Sequence, residues 1–241
     1  MFDLSEIKLT KKDIEKGVNL PTEVSEDLAY LSGFLAGDGS FNIRIKKYEY
    51  SMKAVGNPKD EINFYNEIIV PIFKKLFNID VKPRLYDGNT TYGIRIYSKS
   101  IFMFFTQIIG IPSGYKSGKI NIPKIFNNDK LVASFIRGFA DADFSLCIVK
   151  SNYPIIKGVS KSKQMIIEIS NFLKRKEIKF WIKLDYVHLD SRIKSGKTIE
   201  NLININGRKN LQLWMKYIGF KMPKILEKYE KYKVESSGAK I

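Results

Sequence analysis

The chain has 241 residues, of which 44% are hydrophobic, and its 41 Lys and Arg against 25 Asp and Glu give a formal net charge of +16. This length suffices for one large domain or two small ones with a proper core, and the charge suits a polyanion or an anionic surface as partner. One cysteine and one histidine exclude a disulfide framework and the usual zinc site, no apolar run reaches the ~20 residues of a membrane span, and the N-terminus lacks a signal-peptide core.

From this composition we expect an intracellular protein with no membrane partner, in which any metal is held by oxygen. Residues 1–24 are polar and basic and are expected to form a poorly constrained N-terminal arm with at most one short helix. Ser25, an N-cap residue followed by two acids, starts a helix that reaches Asp38. Alternation of apolar and polar residues then predicts strands at 41–48, 50–55, 81–86 and 90–97. Between and after these strands we expect a helix from Asn57 toward Phe77, with a break or kink at Pro71, and an apolar helix over 98–110.

Residues 111–127 are rich in Gly, Pro, Ser and Lys and are expected to form a linker. The second half repeats the order: a helix capped at 127–129, strands at 145–151 and 153–158, a helix at 161–177, strands at 180–189 and 198–206, and a helix at 208–219. A terminal amphipathic helix at 223–233 and an unstructured tail at 234–241 complete the chain. The predicted fold is therefore α+β, with one αββαββα repeat over 25–110 and another over 128–233.

Two stretches carry the repeat most clearly, LSGFLAGDGSF at 31–41 and IRGFADADFSL at 136–146. They align without gaps, so that Gly33 matches Gly138 and Asp38 matches Asp143. A glycine inside a helix costs about 1 kcal/mol relative to alanine, so glycines at matched places indicate that another backbone comes close. An aspartate at a helix C-terminus faces the negative end of the dipole, and a bound cation would explain its presence there.

These motifs resemble the two signature helices of LAGLIDADG homing endonucleases in their single-chain, two-repeat form, over nearly the whole chain from about residue 25 to about residue 233. The resemblance implies two antiparallel sheets that form a DNA-binding saddle and pack through the two signature helices. It further implies a monomer that cuts both strands of double-stranded DNA across the minor groove, at a long and near-unique target, and leaves 3′ overhangs.

The small residues on the two motifs predict a helix crossing that places Asp38 and Asp143 side by side. Two adjacent carboxylates repel unless cations bridge them, and Mg²⁺ prefers oxygen ligands together with retained waters. We therefore predict two or three Mg²⁺ ions, replaceable by Mn²⁺ or Ca²⁺, at Asp38, Asp143, Gly37 and Ala142, which activate water and stabilise the leaving oxygen in phosphodiester hydrolysis. The alternative is that the two acids only cap or turn the chain.

The two motif copies differ after the acid, since Gly39 stands in the first copy and Phe144 in the second. Glycine allows a tight backbone and a close approach to DNA. Phe144 is expected either to displace Asp143 or to obstruct one strand, so nicking, or binding without cutting, stays open. Asp141 lies in the second motif only, with Ala36 at the matching place, and we interpret it as structural.

The resemblance also implies a lysine near the scissile phosphate, from the segment after the last helix of each repeat. The matching candidates are Lys119 or Lys116 in the first repeat and Lys221 in the second. The alternative is a solvated basic loop without a catalytic role.

Polar side chains that alternate along the strands are candidates for reading bases in the major groove, since Arg pairs with guanine and Asn with adenine. The alternative is an ordinary solvated sheet face. In the first half the candidates are Asn42, Arg44, Lys46, Tyr48, Lys53, Lys82, Arg84, Tyr86, Thr91 and Arg95; in the second half they are Ser151, Lys183, Asp185, Asn204 and Asn206, with Arg192, Lys194 and Lys197 as phosphate contacts.

Two other functions fit the same fold and charge. One is an RNA-binding splicing cofactor (maturase), which would bind intron RNA and need not keep both acids. The other is a noncatalytic DNA-binding regulator, which usually carries an attached recognition module that we do not find. Both acids are present and the flanking residues of a splicing intein are not, so we expect a free-standing, intron-encoded nuclease.

Overall fold

Two four-stranded antiparallel sheets organise the computed structural model, which describes residues 2–115, 118–191 and 194–238. After a short helix α1 (Lys11–Glu15), the first repeat consists of α2 (Glu26–Gly37), β1 (Ser40–Arg44), β2 (Glu49–Gly56), α3 (Ile62–Phe64, Tyr65–Ile69 and Val70–Phe77), β3 (Arg84–Tyr86), β4 (Thr91–Tyr97) and α4 (Lys99–Met103 and Phe104–Ile109).

The second repeat has the same order of elements and the same sheet topology. It consists of α5 (Asp129–Asp143), β5 (Phe144–Val149), β6 (Tyr153–Ser160), α6 (Lys163–Arg175), β7 (Trp181–Leu189), β8 (Lys197–Asn206) and α7 (Arg208–Tyr217), and α8 (Pro223–Gly238) follows it. The strand orders are β1-β2-β4-β3 and β5-β6-β8-β7. The predicted α+β fold with two αββαββα repeats is therefore confirmed.

The centre of the molecule is the pair α2 and α5. Ser25 caps α2 through the backbone N–H of Leu28, and Asn128 caps α5 through those of Lys130 and Leu131, as the sequence predicts. Every residue of α2 from 28 to 36 is buried, which is expected of a helix that is apolar on all sides and lies between two layers. No helix among the described residues is long and apolar enough to cross a membrane.

Several boundaries differ from the sequence prediction. Strand β1 ends at Arg44, because a 3₁₀ turn follows and Tyr48 takes a left-handed conformation with φ of 47°. Helix α3 begins only at Ile62, and the expected break at Pro71 is instead a π-helical segment, Tyr65–Ile69, which precedes the proline. Such a wider turn accommodates a residue that lacks a backbone N–H. Strand β3 is short and starts at Arg84.

Both ends of the described chain are more ordered than expected. The arm over residues 2–24 packs on the first repeat: Asp13 is 1% exposed and accepts a hydrogen bond of 2.5 Å from the Ser100 hydroxyl. Thr10 caps α1 in a capping box with Asp13. At the other end, α8 continues to Gly238, so residues 234–238 are helical and the expectation of an unstructured tail is wrong there.

Candidate metal centre and nucleic-acid interface

The crossing of α2 and α5 is a contact between two backbones. A Cβ placed on Gly33 would lie 1.9 Å from the carbonyl oxygen of Phe135, and one placed on Gly138 would lie 1.9 Å from that of Tyr30. The two contacts are reciprocal, as a pseudo-twofold axis requires. Only glycine fits at either place, which confirms the expectation that a second backbone approaches each motif.

The same crossing brings the acidic ends of the two helices together. A Cβ on Gly37 would lie 2.4 Å from the Cβ of Ala142 and 3.3 Å from Oδ2 of Asp143. Asp38 directly follows Gly37 as the C-cap of α2, and Asp143 is the last residue of α5. Both acids therefore lie at one end of the crossing, with Asp143 exposed and Asp38 half-buried.

A cavity of about 300 Å³ opens beside Asp143. Lys161 and Glu200 line it together with Asp143, and neither of them belongs to the residues predicted from the sequence. Lys161 follows the last residue of β6, at the place that Asn57 occupies after β2. Its position in the sequence, between a strand and a capped helix, is the only sign that it could line a site. That sign is weak, because the chain contains many lysines. The other lining residues are Ala36, Gly37, Gly118, Ile120, Val159, Ser160 and Ser162.

The residues at this end suit a hard cation that keeps part of its water. The described ranges contain no group of three or more His, Cys, Asp and Glu side chains that could hold a metal ion, so a closed protein cage is absent from them. Asp143 lines the cavity, and Asp38 is the C-cap of the helix that crosses beside it. Carboxylate oxygens of this kind are ligands that Mg²⁺ takes together with water and phosphate oxygens. Gly37 and Ala142 each precede an acid, and the contact between them sets the separation of helices α2 and α5 at this end.

Phe144 turns away from this cleft. Its ring is 6% exposed and packs in the core against Trp214 and Phe139, with centroid distances of 5.9 Å and 6.0 Å. Gly158 makes room for it, because a Cβ there would lie 2.3 Å from the ring. The ring therefore does not block the approach to Asp143. Gly39, in the first copy, is confined differently, with a Cβ position 2.4 Å from the carbonyl oxygen of Leu35.

Asp141 is a structural residue, in line with its interpretation from the sequence. Its carboxylate accepts a hydrogen bond of 2.7 Å from the Tyr30 hydroxyl and others from the backbone N–H groups of Lys221 and Met222. Burial raises the pKa of Asp141 to about 6, although these hydrogen bonds oppose the shift. Asp141 thus ties the second signature helix both to the first and to the segment before α8.

Lys221 does not reach the acids. Its ammonium lies 3.8 Å from Asp27 and 4.5 Å from the centre of the Tyr30 ring. Asp27 is in the first turn of α2, about 16 Å along the helix from Asp38 at ~1.5 Å per residue. Lys221 therefore lies at the end of the crossing opposite to the two acids. Lys119 is exposed and follows Gly118, which lines the cavity beside Asp143.

The surroundings of Asp38 differ from those of Asp143. The phenol of Tyr65 is fully buried, and burial raises its pKa, with the carboxylates of Asp38 and Glu61 raising it further. Glu61 forms an ion pair of 2.6 Å with Lys224 at the start of α8. The buried phenol of Tyr65 therefore feels two carboxylates, of which Glu61 is paired with Lys224 from α8.

Strand register confirms that one set of predicted side chains in the first half shares the outward face of its sheet. Three cations of this set converge on Tyr86, with Lys53, Arg84 and Arg95 at 5.1, 5.0 and 5.3 Å from its ring centre. Lys46, Tyr48 and Lys82 lie outside the strands, in the turn after β1 and before β3. The full outward set is Asn42, Arg44, Lys53, Arg84, Tyr86, Thr91 and Arg95.

In the second half, Lys183, Asn204 and Asn206 share the outward face. Asp185 does not follow the regular alternation that places these three on the face, because it sits in a β-bulge with φ of 55°. Its carboxylate forms an ion pair with Lys163. Lys194 and Lys197 are exposed around the β7–β8 hairpin. Lys116 and Arg192 lie outside the described residues, as does the side chain of Ser151.

Comparison with known proteins identifies this architecture. The structure of I-DmoI in complex with DNA and Ca superposes with a TM-score of 0.58 at 21% identity, over 82% of this chain and 93% of that one. The LAGLIDADG homing endonuclease I-GzeII in complex with its DNA target superposes with a TM-score of 0.51 at 12% identity, over 91% and 94% of the two chains. No family model matches the chain.

Three relatives match by sequence. An uncharacterized protein of Methanocaldococcus jannaschii is 30% identical over 195 residues, 79% of this chain and 65% of that protein. The glutamine–fructose-6-phosphate aminotransferase of the same organism is 28% identical over 88% of this chain, and the probable translation initiation factor IF-2 of Thermococcus kodakarensis is 27% identical over 89% of it. The chain spans only 18% and 16% of those two proteins.

Proposed function

We propose that this chain, which has the two-repeat LAGLIDADG fold, is a site-specific endonuclease that cuts double-stranded DNA with divalent metal. The observation that carries the proposal is the reciprocal glycine contact of α2 and α5, which gathers Asp38 and Asp143 at one end of the crossing. A close backbone contact that serves packing alone would not need an acid at the end of each helix. The fold neighbours include I-DmoI with DNA and Ca and with DNA and Mn.

Asp38 and Asp143 are the proposed metal-holding residues, with Mg²⁺ as the physiological ion. A bound divalent ion would lower the pKa of a water molecule and stabilise the leaving oxygen of the phosphodiester. Lys161 lines the cleft beside Asp143 and would offset the negative charge that develops on the phosphate. Lys119 is the alternative for this role, because it follows a cavity-lining glycine and is exposed.

The two sheets would position the DNA. Their outward faces are the ones not covered by helices, and the first carries a cluster of Lys53, Arg84 and Arg95 around one tyrosine. Guanidinium groups on such a face can pair with guanine in the major groove while the lysines contact phosphates. We propose that a monomer grips the duplex in this way, cuts both strands across the minor groove and leaves 3′ overhangs.

The relatives favour a mobile coding element as the source of this chain. Matching segments make up 18% of an aminotransferase and 16% of a probable translation factor. An aminotransferase and a translation factor would share such a segment if its coding sequence had inserted into both of their genes. Site-specific cleavage of an uninterrupted gene copy is the activity that would promote such insertion, and we propose it for this chain.

A selection for cut molecules tests this proposal without knowledge of the target. A random duplex library is incubated with the protein and Mg²⁺, and cleaved ends are captured by ligation and sequenced. We expect one long consensus with 3′ overhangs, absent when EDTA replaces Mg²⁺. Sequence-specific binding without any cut product, or preferential binding of intron RNA, would instead support a regulator or a maturase.

A further inference from the structure

The outward faces of the two sheets occupy equivalent places but differ in chemistry. In the β1–β2 hairpin, the cross-strand pairs on this face are Asn42 with Ser51 and Arg44 with Glu49. The equivalent positions in the β5–β6 hairpin hold Cys147 paired with Ile155, and Val149 paired with Tyr153. Four polar side chains are thus replaced by four of low polarity, which we call the apolar block: Cys147, Val149, Tyr153 and Ile155.

The apolar block faces outward and is not a part of the core. Val149 is 42% exposed and Tyr153 is 47% exposed. Their neighbours on the opposite face of the same strands, Leu146 and Ile156, are each 1% exposed. The alternation therefore remains regular, and the apolar side chains stand where the first repeat presents its polar ones.

The apolar surface continues across the sheet. Val159 is 39% exposed and pairs with Leu202, and Trp181 is 49% exposed and pairs with Asn204. Apolar side chains that are exposed together on one face are typical of a contact surface. Lys157 pairs with Asn204 within the same face, so that cationic and amide groups remain available to phosphates and bases.

Duplex DNA is the occupant that these neighbours favour, because the face is the pseudo-symmetric copy of the basic face in the first repeat. In the major groove the one apolar feature of a base pair is the C5-methyl group of thymine. Resting on the proposed function, we infer that the second repeat reads a thymine-rich half-site through methyl contacts of the apolar block. The first repeat reads purines with Asn42 and Arg44 at the matching places.

The position of these thymines follows from strand geometry. Cys147 and Val149 lie four and six residues beyond Asp143 along β5, which is about 13–20 Å at ~3.3 Å per residue. With ~3.4 Å per base pair, the contacts fall about four to six base pairs from the acid. The asymmetry of the two faces therefore predicts an asymmetric target, with thymines in the half on the Asp143 side.

A binding selection with two duplex libraries tests the inference. One random library contains thymine and the other contains deoxyuridine in its place, which removes only the C5-methyl group; both are selected in EDTA, without divalent metal, so that binding is read without cleavage. We expect the thymine preference of one half-site to disappear in the deoxyuridine library, with affinity about fourfold lower for each methyl contact. The other half-site should be unchanged.

Swap variants assign each half-site to its repeat. The substitutions V149R and I155S place first-repeat residues in the apolar block, and R44V and S51I make the reverse change. All four sites lie on the outward faces of the sheets, with Arg44 and Val149 exposed and Ser51 and Ile155 half-buried. We expect V149R/I155S to abolish the thymine preference, and R44V/S51I to alter only the other half. Far-UV circular dichroism and melting curves would verify that each variant folds.

Three results would overturn the inference. Specific binding with a thymine preference that survives deoxyuridine would refute methyl contact while leaving the proposed function intact. A dimer in light scattering that V149R dissociates would show that the face binds a second copy of the chain. A lack of any sequence-specific enrichment would refute the inference and the proposed function together.

Discussion

The hydroxyl of Tyr30 donates a hydrogen bond of 2.7 Å to Asp141 across the interface of the two central helices. Neither residue has a like partner in the other copy, where Phe135 and Ala36 stand at the matching places. The contact therefore breaks the pseudo-symmetry at the point where the symmetric glycine contacts are tightest. It also joins this interface to the backbone of Lys221 and Met222.

Asp141 should make the stability of the protein depend on pH. Its pKa is raised to about 6 by burial, against ~3.9 in an unfolded chain. The folded state therefore binds the proton more tightly, and the stabilisation present below pH ~4 is lost as the pH rises toward 6, at ~1.4 kcal/mol per pKa unit. Urea unfolding of the wild type and of Asp141→Asn at several pH values measures this.

The difference in unfolding free energy between wild type and Asp141→Asn should shift in favour of the variant between pH 4 and pH 7, by about 2 kcal/mol. Because both proteins contain the other carboxyl groups, the contributions of those groups to the pH dependence cancel in this difference. A shift in favour of the wild type over the same range would mean that the hydrogen bonds to the carboxylate outweigh its burial.

The glycine contacts should be intolerant of any side chain. In Gly33→Ala the new Cβ would lie 1.9 Å from the Phe135 carbonyl oxygen, so the two helices must separate. We expect a loss of about 3 kcal/mol in unfolding free energy, and a similar loss for Gly138→Ala. Lys130→Ala, which removes an exposed ion pair to Glu26, should cost less than ~1 kcal/mol. Equal effects of Gly33→Ala and Lys130→Ala would contradict the close backbone contact.

Phe144 should matter for stability and not for access to the cleft. Because the ring is 6% exposed and stacks on Trp214, Phe144→Gly should lower the unfolding free energy by about 3–5 kcal/mol. Strand cleavage measured at a temperature where the variant is folded should not accelerate. If cutting of the second strand became faster in Phe144→Gly, the ring would be an obstruction after all.

Lys161 and Lys221 should behave oppositely in DNA cleavage. Lys161 lines the cavity beside Asp143, so Lys161→Ala should slow cutting of one strand by about 100-fold. Lys221 contacts Asp27 at the far end of α2, so Lys221→Ala should leave both strands' rates unchanged. Single-turnover cleavage of duplexes labelled on either strand separates the two effects. Loss of cleavage in Lys221→Ala alone would reverse the assignment.

The sequence predicts the elements well where local chemistry and tertiary packing agree. Ser25 and Asn128 cap the two central helices, and the glycines at 33 and 138 mark the crossing, because a capping oxygen or a missing Cβ leaves a direct trace in the sequence. The outward set around Arg95 also follows from alternation alone.

The rest depends on contacts between distant segments. Gly158 lets the Phe144 ring turn inward, and the motif that contains Phe144 gives no sign of it. Asp185 leaves the alternating pattern because a bulge inserts one residue into β7. The lysine after the second repeat reaches the wrong end of α2 because its segment is held by Asp141. Each of these outcomes is set by a partner many residues away.

Cleavage of a supercoiled plasmid that carries the selected target tests the central claim most directly. Wild type, Asp38→Asn and Asp143→Asn are compared with Mg²⁺ and with EDTA, and Asp80→Asn, at an exposed ion pair with Lys74, serves as the control. We predict linear product from wild type and Asp80→Asn with Mg²⁺ only, and no linear product from either acid variant. Linear product from Asp38→Asn or Asp143→Asn at the wild-type rate would contradict a metal centre built from these two acids.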